Sequence, residues 1–246
     1  MIKRIFHKTY FIVFLLAGFV LLANLAFRSP GTKAENEEYK NLYRSRINDF
    51  TRTEKELAQF IQAQNIRTAE GILSIKKHIA AARIKMKGID LWLRYLEPTA
   101  YHKVNGPLPV EWETEVFEKF EKPYRRDGAG LGLAELYLDE PGIHKDSLIQ
   151  LIDSSIKVSD IYLADSITKH LDSYHHFFLA NRLFLLNLSA IYTTGFECPD
   201  AENIIPELGS MLESVNGIYS AYNKSYPNFP AKKEYLELYN KTIAFV

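Results

Sequence analysis

Three histidines lie close together in the second half of the chain, where metal binding is the first chemistry to consider. His170, His175 and His176 surround Asp172. Metal ligands on one helix face follow i, i+4 spacing, as in the H-E-x-x-H motif. His170 and His175 are five residues apart, and Asp172 with His176 supplies only two ligands. We therefore interpret these side chains as surface or interface histidines.

A run of alternating glutamates is the next candidate, because paired carboxylates can act as general acid and general base. The run comprises Glu111, Glu113, Glu115, Glu118 and Glu121, interleaved with Lys119 and Lys122. A catalytic pair needs one buried member with a raised pKa. Charges of both signs on one short segment are instead typical of the solvated face of a helix. We predict that solvated face.

The glycines at 128, 130 and 132 superficially suggest a nucleotide-binding loop. The dinucleotide fingerprint requires G-x-G-x-x-G after a strand, and a phosphate-binding loop ends in Gly-Lys followed by Ser or Thr. Neither pattern is present, so we predict a turn before a helix. Arg125 and Arg126, just upstream, could pair with the carboxylates of a partner.

The single cysteine, Cys198, limits the chemistry of the chain. One cysteine excludes an internal disulfide, a zinc site built on several cysteines and haem attached through C-x-x-C-H. No histidine adjoins Cys198 to activate it as a nucleophile. The residues of this chain therefore specify no catalytic motif.

The elements that position these residues are predicted to be helices. Apolar residues recur at helical spacing over 37–66, over 68–96 and in four stretches beyond Asp146, a good N-cap. We predict an all-α fold, a bundle of long antiparallel helices with an irregular Pro- and Gly-containing middle at 97–141. The stretch from Phe177 to Leu188 is apolar nearly all round and is predicted to be the most buried helix.

Residues 1–28 read as an export signal. Lys3, Arg4 and Lys8 precede an apolar run from Tyr10 to Ala23, and this order places the basic flank in the cytoplasm. The run is long for a signal peptide, slightly short for a spanning helix, and lacks a clean cleavage site. Residues 1–28 are therefore either a cleaved signal peptide or an uncleaved N-terminal membrane anchor. Residues 29–246 then form the exported helical-bundle domain.

The balanced charge of 30 basic and 30 acidic residues hides an asymmetry. Because residues 1–28 contain four bases and no acid, the remaining chain has 26 bases against 30 acids, a net charge of −4. It has no basic run longer than Arg125-Arg126. A weakly acidic domain of this kind has little electrostatic attraction for a phosphate backbone, so nucleic acid is not an expected partner.

Two stretches of the sequence have distinctive residue patterns. One runs over 89–98 (IDLWLRYLEP) and continues over 105–118 (NGPLPVEWETEVFE); the other covers 181–188 (NRLFLLNL) and 193–199 (TTGFECP). They resemble the N-terminal helical region of a branch of bacterial di-haem cytochrome c peroxidases, exported proteins much longer than this chain. The resemblance extends over most of residues 35–246.

The resemblance implies a haem-free front portion of a periplasmic enzyme, held at the inner membrane if the anchor is uncleaved. Enzymes of that family reduce hydrogen peroxide with electrons relayed through haem c. Their haem sites and peroxide pocket lie in the C-terminal part, so no catalytic or cofactor-binding residue is carried over. We expect the gene to continue beyond Val246 with two C-x-x-C-H motifs. The implied partners are those C-terminal di-haem domains and an electron-donor cytochrome.

The expected role is therefore structural: to hold, orient or gate the haem domains, or to dock an electron donor. The candidate contact residues are Trp112, Tyr124, Arg125, Arg126 and Phe196. One alternative is an extracytoplasmic helical ligand-binding or sensor domain. Another is an imelysin-like binding protein or peptidase, because Gly142-Ile143-His144 begins like that family's G-x-H-x-x-E motif. Here Ser147 stands at the Glu position.

Overall fold

The amphipathic stretches form ten α-helices in the computed structural model, which describes residues 37–106 and 128–245. In chain order they are α1 (Glu37–Ala63), α2 (Ala69–Lys87), α3 (Asp90–Leu96), α4 (Pro98–Asn105), α5 (Leu131–Tyr137), α6 (Lys145–Leu163), α7 (Asp165–Thr168), α8 (Tyr174–Ala190), α9 (Ile204–Ser225) and α10 (Lys233–Ile243). Short 3₁₀ turns cover Lys169–Asp172, Tyr192–Thr194 and Ala201–Asn203. Within the described ranges no strand forms, so the all-α prediction is confirmed.

The helices pack around a shared aromatic cluster. Helix α1 packs against α2, α6 and α9, while α4 and α5 pack on α6, and α10 packs on α9. Trp92 Nε1 on α3 donates to Tyr39 Oη on α1 at 2.8 Å. Phe177 on α8 stacks on Tyr222 on α9 with ring centroids 3.6 Å apart. Buried aromatic pairs of this kind bring large apolar area to one point and fix how four helices meet.

The prediction of one continuous helix over 68–96 is wrong in one respect, because the helix is interrupted between α2 and α3. Its start is correct: Thr68 Oγ1 caps the helix by accepting from the Gly71 N–H at 3.1 Å. The break follows Gly88, a residue of low helix propensity. A Cβ at Gly88 would lie 2.9 Å from Ser214 Oγ, so α9 approaches the backbone closely at this point.

Helix α8 contradicts the prediction that it is the most buried helix. Its buried residues form one narrow stripe, Phe177, Ala180, Asn181 and Phe184. The opposite side exposes apolar residues to solvent: Phe178, Leu179, Leu185 and Leu186. The prediction failed because an all-round apolar pattern indicates burial on every side, whereas α8 lies at the outside of the bundle. We call these four residues the outer face of α8.

The glycine-rich turn is confirmed as the lead-in to a helix. Gly130 immediately precedes α5 at φ +88°, and a Cβ there would lie 1.9 Å from the Val104 carbonyl oxygen. Its N–H donates to the Leu151 carbonyl oxygen at 3.0 Å. Helix α6 starts at Lys145, one residue before the expected N-cap, so Asp146 lies in the first turn.

Two predicted segments lie outside the described residues. These are the N-terminal segment, 1–28, and the glutamate-rich stretch, 111–122. Across residues 37–106 and 128–245, no helix is both long enough and apolar enough to cross a membrane.

Candidate docking surface and the buried charges behind it

Phe196 is the one predicted contact residue that falls in the described ranges. It lies in the turn before α9, and 45% of its surface is exposed. Trp112, Tyr124, Arg125 and Arg126 lie outside the described residues. The candidate site is therefore built from residues 195–198, which we call the Phe196 corner, and from the elements that support it.

The Phe196 corner begins with a backbone conformation that favours glycine. Gly195 adopts φ +70°, in the left-handed region. A Cβ at this position would come within 2.3 Å of Ile204 Cδ1. The corner is closed by the Cys198 N–H, which donates to the Gly195 carbonyl oxygen at 3.0 Å. Conformation and space both disfavour a side chain at Gly195.

Replacing Gly195 with alanine should therefore lower the free energy of unfolding by roughly 2 kcal/mol, from left-handed strain and the contact with Ile204. Gly209→Ala is the matched control, because a Cβ at Gly209, inside α9, meets nothing within 4 Å. That control should be neutral or slightly stabilising. Urea unfolding of both variants measures the difference, and equal effects would contradict this account of the corner.

Glu197, the residue after Phe196, turns inward and is held by two cations. Lys87 Nζ lies 3.0 Å from Glu197 Oε2, and Arg94 donates to Oε1. Burial alone would raise the pKa of Glu197, but Lys87 and Arg94 outweigh it and hold the pKa below its ordinary value. The carboxylate is therefore ionised at neutral pH and fixes the corner to α2 and α3.

Arg83 on α2 is the centre of the buried charges and has no exposed surface. Its Nε and Nη2 donate to the two carboxylate oxygens of Glu207 at 2.6 and 3.1 Å. Nη1 donates to Asn105 Oδ1 at 2.8 Å. Nη2 also donates to the Glu197 carbonyl oxygen at 2.8 Å. One guanidinium thus ties α2 to α4, to α9 and to the backbone of the Phe196 corner.

Asp90 extends these contacts to two buried tyrosines. Tyr101 Oη donates to Asp90 Oδ1 at 2.5 Å, and Tyr192 Oη donates to Oδ2. Burial, reinforced by Asp90, holds the pKa of both phenols well above the ordinary value, so both remain donors. Lys87 Nζ lies 4.7 Å from the centre of the Tyr192 ring, within the range of a cation–π interaction.

Glu135 on α5 is the exception among these charges. Its Oε2 lies 3.5 Å from Arg83 Nε but makes no hydrogen bond in the described part of the chain. Burial raises the pKa of Glu135 to about 7, although Arg83 opposes the shift. With Glu135 protonated, the cations and the carboxylates of this group balance three to three: Arg83, Lys87 and Arg94 against Asp90, Glu197 and Glu207. We call these seven residues the charged cluster.

The charged cluster holds the elements around it together, and the cavity beside it in the described part of the chain is small. The cavity between Lys87, Glu197, Cys198 and Glu207 measures about 10 Å³, at the lower limit for a single water molecule. Cys198 donates from Sγ to the Asp200 carbonyl oxygen at 3.1 Å. Burial raises the pKa of this thiol to about 12, so it is no nucleophile at neutral pH. A lone thiol held this way does not fit covalent haem.

The charged cluster was missed by the sequence interpretation, although the sequence carries a signal for it. Arg83, Lys87, Asp90 and Arg94 follow i, i+4, i+7, i+11 spacing, which places four charges on one helical face. Charged stripes are ordinarily solvated, so the pattern indicates nothing unusual by itself. What distinguishes this stripe is that apolar residues flank it on both sides within the same segment.

The three histidines lie around the α8 N-terminus, beside Tyr95. Tyr95 Oη lies 2.6 Å from His176 Nδ1, and the rings of His170 and His176 are 4.5 Å apart between centroids. Burial and the neighbouring histidines lower the pKa of His176. Among the described residues, no group of three or more His, Cys, Asp or Glu side chains could hold a metal ion.

Comparison with known proteins adds no relative to this picture: no family model, no curated protein and no solved structure matches the chain.

Proposed function

We propose that this chain is the haem-free N-terminal helical region of an exported cytochrome-c-peroxidase-like protein, with a structural and docking role. The supporting observation is where the two distinctive stretches lie. Arg94, in the first stretch, donates to Glu197, in the second. Asp90, also in the first stretch, accepts a hydrogen bond from Tyr192, which lies between the two parts of the second stretch. Segments about a hundred residues apart thus form one unit that carries the exposed Phe196 on its surface.

The outer face of α8 gives this unit a surface suited to docking. Leu186, 57% exposed, is the most exposed of its four apolar residues. Arg182 lies among them and makes no ion pair with any described residue. Contiguous exposed apolar residues mark interaction sites, and arginine and aromatic side chains are frequent anchors in interfaces. The charged cluster pre-organises Phe196 and so lowers the entropy lost on docking.

In this proposal the partner is the haem-bearing C-terminal part of the same protein, which receives electrons from a donor cytochrome in the periplasm. Residues 1–28 supply export or the membrane anchor. The chain itself contributes no catalytic residue; it orients the part that does.

The native polypeptide encoded by the whole gene provides the test. It should carry covalent haem, and its circular dichroism in the Soret region and its helical circular dichroism should be lost together on heating, because docked parts unfold as one unit. The double variant Phe196→Asp/Leu186→Asp should split this into two transitions. Leu73→Asp, an equally exposed leucine on α2, should behave like the natural protein.

Two results would defeat the proposal. The first is a native polypeptide without haem and with no haem protein encoded beside it. The second is a double variant whose two signals still melt together, because the outer face of α8 and Phe196 would then contribute nothing to docking.

A further inference from the structure

An open groove of about 670 Å³ lies between α4, α5 and α6, and no residue of the outer face of α8 lines it. Its volume falls in the range of small-molecule sites, roughly 300–1,000 Å³. The floor is apolar, formed by Leu133, Leu136, Leu151 and Val158. A groove of this size and polarity can cover the aliphatic part of a ligand.

The charged side chains of the groove are separated along its length. Helix α4 begins beside Tyr162, whose Oη donates to the Glu97 carbonyl oxygen at 3.0 Å. It ends beside Leu151, which accepts from Gly130 N–H. Lys103, two residues before that end, therefore lies beside the middle of α6, and Lys157 lines the same groove farther toward Tyr162. Neither lysine makes an ion pair with a described residue.

The opposite end of the groove has the opposite charge. Glu140 follows α5 and lies with Tyr137 and Ser147 near the start of α6. Tyr137 Oη accepts from the His144 N–H at 3.0 Å, which fixes this end. Ser147 and Lys157 are ten residues apart on α6, or about 15 Å. Lys103 and Lys157, which have no ion pair with a described residue, thus line the groove toward the end of α6, and Glu140 lies near the start of α6, with apolar lining residues between them.

We infer that this groove binds a medium-chain fatty acid such as dodecanoate, or a closely similar aliphatic carboxylate. The carboxylate lies between Lys103 and Lys157, and the chain extends over Leu133 and Leu136 toward Tyr137. Each methylene removed from water stabilises the complex by about 0.8 kcal/mol, and Glu140 opposes binding in the reverse orientation. The inference goes beyond the proposed function and does not depend on it, because the two surfaces share no residue.

The test is photolabelling of the whole chain with a dodecanoate analogue that carries a diazirine on its alkyl chain. Mass spectrometry should place the label within residues 128–158, and unmodified dodecanoate should compete with it. The exposed pair Lys103→Glu/Lys157→Glu should reduce labelling roughly tenfold or more, equivalent to about 1.4 kcal/mol or more of binding energy. Lys241→Glu, on α10, is the control and should label normally.

Several outcomes would overturn the inference. Label spread over the outer face of α8, or left unchanged by the paired lysine substitutions, would show ordinary apolar adsorption. Equal labelling by an analogue with a positively charged trimethylammonium head would show that the lysines do not bind the carboxylate. Labelling of the groove that disappears as protein concentration rises would mean that a second copy of the chain covers it.

Discussion

Arg83→Met should destabilise the fold by about 3–5 kcal/mol, because it leaves the Glu207 carboxylate buried without its cation. Arg83 is fully buried and is the only link in the described part of the chain that joins Glu207, Asn105 and the Glu197 carbonyl at one point. Urea unfolding followed by circular dichroism gives the loss directly. A decrease below about 1 kcal/mol would contradict the role assigned to the charged cluster.

Two further variants separate the cause of that loss. Arg52→Met removes an exposed arginine that pairs with Asp49 and Glu56 on the surface of α1, and it should change stability by less than about 1 kcal/mol. Arg83→Met/Glu207→Leu removes both charges. It should recover much of the lost stability, since replacing a whole buried ion pair costs less than breaking it.

Raising the pH should weaken the fold through Glu54, which is fully buried on α1. Ser155 on α6 faces it, and neither carboxylate oxygen makes a hydrogen bond of ordinary geometry in the described ranges. Burial raises the pKa of Glu54 from 4.5 to about 8. Because the folded state keeps a proton that the unfolded state releases, this stabilisation is fully present below pH 4.5. It is lost as the pH rises to about 8, and the total is on the order of 5 kcal/mol.

The measurement compares the pH dependence of unfolding free energy in the natural chain and in Glu54→Gln. The glutamine cannot ionise, so its curve should fall less steeply between about pH 5 and about pH 8. Glu56→Gln, on the exposed side of the same helix, should give a curve parallel to that of the natural chain. Parallel curves for Glu54→Gln as well would show that Glu54 is hydrated or paired in solution.

Periodicity and caps were sufficient to predict most of the helices. The start of α2 follows from Thr68, and α9 follows from an apolar stripe that continues from Ile204 to Tyr222, about five turns. These signals are local, since each depends on residues within one or two turns of each other. The break at Gly88 is different, because it reflects the close approach of Ser214, 126 residues farther along the chain.

The candidate site was predictable only in part for the same reason. Phe196 was identified as a contact candidate, but its support could not be, because Arg83 and Glu207 are 124 residues apart and surface charges have the same local pattern. The exposure of α8 was missed because the residue composition of a helix indicates only how apolar that helix is. It does not report how many neighbours are available to cover it.

The turn beside α4 has a consequence for how this protein can vary. Gly106 N–H donates to the Ala129 carbonyl oxygen at 3.2 Å, and Ala129 N–H donates to the His102 carbonyl oxygen at 3.3 Å. These two hydrogen bonds hold the end of α4 next to the residues that precede α5. Because both hydrogen bonds are formed by main-chain atoms, side chains can change here over generations while the junction between α4 and the residues before α5 stays the same.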